Sequence, residues 1–283
     1  EILQPQTGND SMKYNFRGIS QFSSVRNTDT SSTLDKLGFK SDGTNLNLRY
    51  QNNTLLMDSL FGIKYNITDR NPQKFSFHKL ETQGNQTLYQ NEKALSLAFL
   101  TASPYKDIQF SNLTLDNQKN FLNHLTGQSL TFYQRLYPLK TSSDNPSQGP
   151  QKAKVEADSF LTYASIEYEL YVQNDSQLYV NLPSLEFENE DYTDVEIITN
   201  GQVNRYTTDN VFPFFTIGHF KAGETVKIRI AFPENSTVTF QNPEFFALNL
   251  QAYQEAFENL HQQEVHVQTK GNTVTADFTA DHH

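Results

Sequence analysis

The chain has 283 residues, 36% hydrophobic and 13% aromatic, with a formal net charge of −10 and no cysteine. The aromatic content argues against disorder. The acidic balance, with no basic run, excludes nucleic acid and anionic lipid, which both need Lys/Arg patches. Zero cysteine removes disulfide staples, thiolate zinc sites and a cysteine nucleophile. The length suits two domains, each with its own core.

No segment reaches the about 18 apolar residues of a membrane span. The longest, ALSLAFL at 94–100, is far too short. The chain starts at Glu1 rather than methionine and ends in His282 and His283, which read either as native residues or as the stub of a tag. It is expected to be an excised, extracytoplasmic piece of something longer.

In chain order, STLDKLGFK (32–40) predicts a capped helical turn ending at Gly38. TLLMDSLFGIKYNIT (54–68) predicts a helix from Thr54 to Phe61, a stop at Gly62, then a strand. TLDNQKNFLNHLTG (114–127) predicts a helix capped by Thr114 or Asp116, with Phe121, Leu122 and Leu125 on one face and Gly127 as its end. KTSSDNPSQGPQK (140–152) reads as a long loop or linker, or equally as the loop of a large hairpin between two strand-like flanks.

From about residue 155 the hydrophobic period is two. IEYELYV (166–172) and LYVNL (178–182) alternate; Asn200-Gly201 suits a type I′ hairpin turn; Val226, Ile228, Ile230 and Phe232 share one strand face. One helix interrupts, NLQAYQEAFENL (249–260), with Leu250, Tyr253, Phe257 and Leu260 in a stripe, and a last hairpin follows over 265–279. The expected class is α+β. A mixed α/β domain (1–127) precedes an antiparallel, jelly-roll-like β-sandwich (128–283) with one inserted helix.

The common catalytic signatures are missing: no GxSxG, Walker loop, GxGxxG or HExxH occurs. His261 and His266 straddle a helix end without metal-ligand spacing, and EFENEDYTD (186–194) lacks the DxDxDG calcium pattern. Glu167 and Glu169 share a strand face, ordinary for a wet face though formally a carboxylate pair. VFPFF (211–215), with Phe214 and Phe215, and Tyr163, Tyr168, Tyr171 and Tyr179 offer sugar-stacking rings or core packing. Seven N-x-S/T triplets read as a by-product of an Asn-, Ser- and Thr-rich composition. Lys64 sits in the apolar block beside Tyr65, where it either snorkels or pairs with Asp58.

The order of local patterns resembles the extracytoplasmic C-terminal region of YfhO-like bacterial multi-pass membrane proteins. The carriers are FRGISQFSS (16–24), Leu34, Leu37 and Gly38, then DSLFGIKYNI (58–67), the strongest match. Tyr89, Asn91, Leu95, Leu97 and Phe99 follow, with Ser96 where the pattern has proline. Gln118 to Gly127, Asn200-Gly201, Ala222-Gly223 and Leu248 to Leu260 complete the series.

The resemblance implies a parent with many transmembrane helices, similar to GT-C-type glycosyltransferases that move a sugar from a lipid-phosphate carrier to an envelope polymer such as teichoic acid. Its catalytic acid is expected in an early loop outside this chain, so no catalytic residue, metal or cofactor is assigned here. The implied partners are the protein's own transmembrane domain and an envelope polysaccharide or teichoic acid, at the extracytoplasmic face of the membrane. Asp58, Lys64, Tyr65, Phe214 and Phe215 are the candidate contacts to the acceptor. A free-standing carbohydrate-binding or adhesion module is the competing reading, and a soluble glycoside hydrolase a third.

Overall fold

The computed structural model describes residues 1–23, 25, 27–39, 47–50, 53–104, 107–142, 153–157, 163–187, 193–208, 214–270 and 273–278. The chain forms two compact units: Glu1–Asp69, Ser76–Phe132 and Gln251–His283 make the first, Arg70–Phe75 and Tyr133–Leu250 the second. The chain changes unit at 69/70, 75/76, 132/133 and 250/251.

The first unit opens with α1 (Asp10–Lys13) and β1 (Gln21–Phe22), followed by α2 (Thr28–Lys36) and β2 (Asn47–Leu48), the partner of β1. Helix α2 starts four residues before the predicted segment because the Asn27 side chain accepts from the Thr30 amide at 2.9 Å. Helix α3 (Leu55–Leu60) is capped by Thr54, whose hydroxyl accepts from the Met57 amide, and it buries Leu55, Leu56, Met57 and Leu60. It stops as predicted at Gly62, whose φ is +65°. Strands β3 (Tyr65–Thr68), β4 (Phe77–Gln83) and β5 (Gln86–Asn91) form an antiparallel sheet in the order β3-β5-β4.

Helix α4 (Thr114–Thr126) ends at Gly127 in the left-handed conformation, as predicted. Its expected cap is corrected: the N-cap is Leu113, and no side chain caps the helix. Asn117 and Gln118 instead turn toward α2, donating to the carbonyls of Lys36 and Leu37 at 2.9 Å each. These amides satisfy carbonyls that the end of α2 leaves without intrahelical partners.

The second unit contains β6 (Tyr133–Leu136), β7 (Lys140–Ser142), β8 (Ala153–Glu156), β9 (Ala164–Tyr171), β10 (Ser176–Asn181) and β11 (Glu186–Phe187). It continues with β12 (Thr193–Thr199), β13 (Gln202–Thr208), β14 (Phe214–Phe220), β15 (Thr225–Phe232), β16 (Thr237–Phe240) and β17 (Glu244–Asn249). They form sheets of five (β13-β12-β15-β9-β7), four (β14-β10-β17-β6) and three strands (β11-β16-β8), with every pairing antiparallel.

One core joins the three sheets. Ile166, Tyr168, Ile197, Ile228 and Ile230 of the five-stranded sheet meet Val180, Phe215, Ile217 and Phe245 of the four-stranded one, and Val238 and Phe240 come from the third. The Tyr168 ring stands edge-on to Phe245 at 5.1 Å. This is the antiparallel sandwich that the period of two predicted. Asn200 and Gly201, both at positive φ, turn β12 into β13 as the type I′ signal required.

Two expectations change in this unit. Strand β10 does not alternate: Ser176 to Val180 are all buried. Part of the cover is the segment Arg70–Phe75. Gln177 accepts from the Phe75 amide at 3.0 Å and donates to the Gln73 carbonyl at 2.8 Å, and Arg70 donates to the Arg205 carbonyl on edge strand β13 at 3.1 Å. The expected linker at 140–152 begins as edge strand β7; positions 143–152 lie outside the described residues, as do 188–192 of the acidic stretch and 211–213 of VFPFF.

Helix α5 (Leu250–Gln262) follows β17 directly, interrupting the run of strands as expected, and from Gln251 on it belongs to the first unit. The reason is its stripe: Tyr253, Ala256, Phe257 and Leu260 are fully buried, and the Tyr253 hydroxyl bonds Ser59 at 2.7 Å. Strands β18 (Val267–Lys270) and β19 (Thr273–Ala276) form the expected last hairpin; its turn and the terminal His282 and His283 lie outside the described residues.

Candidate functional site

The block Asp58–Ile67 is the hub of a buried polar network in the first unit. Asp58 on α3 is fully buried and accepts from the Tyr50 hydroxyl at 2.7 Å. Burial, then the charge of Asp58, pushes the Tyr50 phenol well above its ordinary pKa, so Tyr50 is held as a neutral donor. Asn66, also fully buried, donates to the Tyr50 hydroxyl at 3.4 Å and to the Tyr65 carbonyl at 3.1 Å.

A second group of contacts surrounds Ser59. Its hydroxyl meets the Tyr253 hydroxyl at 2.7 Å and accepts from the Asn91 amide at 3.1 Å. Asn91 also donates to the Ile63 carbonyl at 3.3 Å and accepts from Ser76 at 2.6 Å and from the Lys93 amide at 3.0 Å. Tyr253 closes the ring by donating to Ser76 at 3.3 Å, and burial raises its pKa. A buried serine invites a nucleophile reading. The partners of Ser59 are a phenol and an amide, neither of which is a general base at neutral pH, so the geometry is that of a structural lock.

Gly62 completes the block. A Cβ there would lie 2.9 Å from the Leu95 carbonyl oxygen, and its φ is +65°. Leu95 in turn donates its amide to the Ser59 carbonyl at 2.9 Å. Gly62→Ala is therefore expected to destabilise the first unit by about 2 kcal/mol or more, since left-handed strain and a backbone clash add. Urea unfolding checks this, and a loss below about 0.5 kcal/mol would contradict the close approach.

Lys64 is exposed and so is Tyr65; the ammonium lies 5.7 Å from the centre of the Tyr65 ring. Of the two readings of this lysine, the structure shows the snorkelling one: Lys64 leans over the neighbouring ring, while Asp58 is turned inward to Tyr50. The burial pattern of the strand explains it, with Ile63 and Asn66 inside and Lys64 and Tyr65 outside.

Phe214 and Phe215 belong to the second unit and occupy neighbouring positions on β14, hence opposite faces of the sheet. Phe215 is fully buried in the sandwich core, 5.4 Å from the Tyr206 ring. Phe214 is 7% exposed and stacks on Tyr179 at 5.4 Å. Asp58, Lys64 and Tyr65 thus share one block in the first unit, and only Lys64 and Tyr65 present their side chains to solvent. Sequence reasoning missed Ser76 and Tyr253 as parts of the network. The legible signal was a tyrosine in the apolar stripe of α5, since a buried phenol needs a partner.

The glutamate pair and the histidine beside the helix end have structural explanations. Glu169 stands across from Lys227 and Glu167 across from Arg229 on adjacent strands, cross-strand pairs of opposite charge. His261 contacts Glu264 at 3.0 Å, and among the described residues no group of three or more His, Asp or Glu could hold a metal ion. Asn66 and Asn235 head two of the N-x-S/T triplets yet are buried, so neither is available to a glycan.

Comparisons with known proteins follow from this geometry. No curated protein sequence matches the chain. Among solved structures, a family two carbohydrate esterase from Cellvibrio japonicus is 13% identical, with 42% of this chain and 31% of that chain covered and a TM-score of 0.25. A family two carbohydrate esterase from Clostridium thermocellum in complex with cellohexaose is 9% identical, covering 34% and 27%, with a TM-score of 0.23. The CBM36-1 domain of a multidomain xylanase from the hindgut metagenome of Trinervitermes trinervoides is 10% identical, covering 34% and 96%, also with a TM-score of 0.23. The chain spans less than a third of the length of the two esterases.

Among the described residues no helix is long and apolar enough to cross a membrane. The family model described as bacterial membrane protein YfhO matches residues 1–283. The chain belongs to the YfhO family of bacterial membrane proteins.

Proposed function

We propose that this chain is the extracytoplasmic accessory portion of an integral-membrane, glycosyltransferase-like protein that modifies a cell-envelope polymer such as teichoic acid. The family match along residues 1–283 is the observation that carries the reading. In this reading the chain caps the membrane domain and helps to dock the acceptor, while the donor, a lipid-phosphate-linked sugar, is handled among the spans. The chemistry belongs to the membrane part, and the chain alone is inactive. Lys64 and Tyr65 are the exposed polar members of the Asp58–Ile67 block and meet the acceptor, with the ammonium suited to a phosphate.

Fractionation of the source cells tests the proposal. Antibodies against this chain are expected to detect a protein far larger than 32.5 kDa, released from membranes only by detergent. A protein near that mass in the wall or medium would overturn it in favour of a free-standing surface module.

A further inference from the structure

At one end of the four-stranded sheet of the second unit, four side chains form a connected surface row. Tyr137, just past β6, is 74% exposed, the most exposed tyrosine among the described residues. The guanidinium of Arg135 lies 5.7 Å from the centre of its ring. Arg135 pairs with Glu244 at 3.3 Å, and the second carboxylate oxygen of Glu244 accepts from the Asn181 amide at 3.1 Å.

Strand register explains the row. Asn181 stands opposite Glu244 on one side and Phe214 on the other; Phe245 stands opposite Leu136, which brings Glu244 abreast of Tyr137. Leu136 and Phe245 face the core, so Arg135, Tyr137, Glu244 and Asn181 share the opposite face.

We infer that this row is a binding site for a neutral hexose of a glycan chain. An exposed aromatic face is the surface that the C–H side of a pyranose covers. Planar guanidinium, carboxylate and amide groups fixed beside it supply both donors and acceptors for ring hydroxyls. Charge selects the occupant. Arg135 is neutralised by Glu244, so the row offers a bare polyphosphate no unpaired cation, while an uncharged sugar needs none. Asn181 and Arg135 are already held by Glu244, so little ordering remains to be done on binding. The inference does not depend on the transferase reading, because a free-standing sugar-binding module would use the same row.

Titration of the 283-residue chain with cellohexaose, maltohexaose and a mannohexaose, followed by backbone amide shifts, tests it. At least one is expected to bind, with shifts centred on residues 135–137 and 244. Tyr137→Ala should weaken that binding about tenfold or more, and Tyr137→Phe should retain most of it, as stacking requires. Tyr14→Ala, at an exposed tyrosine of the first unit, should leave binding unchanged and serves as the control. Raising salt from 50 to 500 mM should change affinity less than twofold.

Failure of all three sugars to bind, an unaffected Tyr137→Ala variant, or binding only of sugar-free poly(glycerol phosphate) would overturn the inference. These outcomes are separate from the fractionation result, which tests membrane attachment and not this surface.

Discussion

Ending the chain at Leu250 is expected to unfold the first unit. The deletion removes α5 and the last hairpin, which belong to that unit although they follow the sandwich in sequence. Tyr253, Phe257 and Leu260 are fully buried. Burial of such side chains contributes about 1.5–3 kcal/mol each. Their combined loss is comparable to the about 5–15 kcal/mol that holds a domain together. The Tyr253 hydroxyl is also lost to Ser59 and Ser76. A truncated protein of residues 1–250 should lose the dispersed amide resonances of β3–β5 while keeping those of the sandwich. Retention of the β3–β5 resonances, with an unchanged melting transition, would show that α5 is dispensable. A cut at 127/128 is expected to be worse. It separates α5 from Ser59 and removes Arg70–Phe75 from the sandwich it covers.

Asn91→Ala should cost about 3 kcal/mol, because each buried group left without a partner costs about 1–3 kcal/mol. Asn91 is 1% exposed and serves Ser59, Ser76, the Ile63 carbonyl and the Lys93 amide at once. Ser59 keeps Tyr253 in the variant, but the Ile63 carbonyl loses this donor. In a chain of this size the change corresponds to a fall of about 6–12 °C in melting temperature. Calorimetry of the variant reads it directly. A fall under about 2 °C would show that the network is solvated and not a lock.

The match to the family pattern around DSLFGIKYNI acquires a physical meaning from these contacts. Leu60 and Ile63 fill the core, Gly62 lets the chain pass under Leu95, and Asp58, Ser59 and Asn66 tie α3 and β3 to Tyr50, Asn91 and Tyr253. Most of the block is therefore architecture. Lys64, Tyr65 and Ile67 are its exposed members.

Local rules carried much of the fold. Thr54 and Gly62 bracket α3 because capping and left-handed stops are properties of a few adjacent residues. Asn200-Gly201 set the β12–β13 register in the same way, and strict alternation over 226–232 named the buried face of β15. Those signals need no knowledge of the rest of the chain, and the sandwich followed from them.

Other features were decided only by tertiary structure. Strand β10 is buried on both faces, partly beneath Arg70–Phe75, a cover from a hundred residues upstream that no periodicity encodes. The stripe of α5 announced a buried helix but not which unit would bury it; partners at Ser59 and Ser76 settled that. Phe214 and Phe215 looked equivalent as a dipeptide, yet the pleat sends one into the core and the other onto Tyr179. Tyr137, Arg135, Glu244 and Asn181 are scattered over three strands, and only the register of β6, β17 and β10 makes them neighbours. Sequence by itself determined the elements and the family, because both are written in short-range pattern. Which elements share a core and which side chains meet at the surface depended on long-range pairing, which is fixed only when the chain closes on itself.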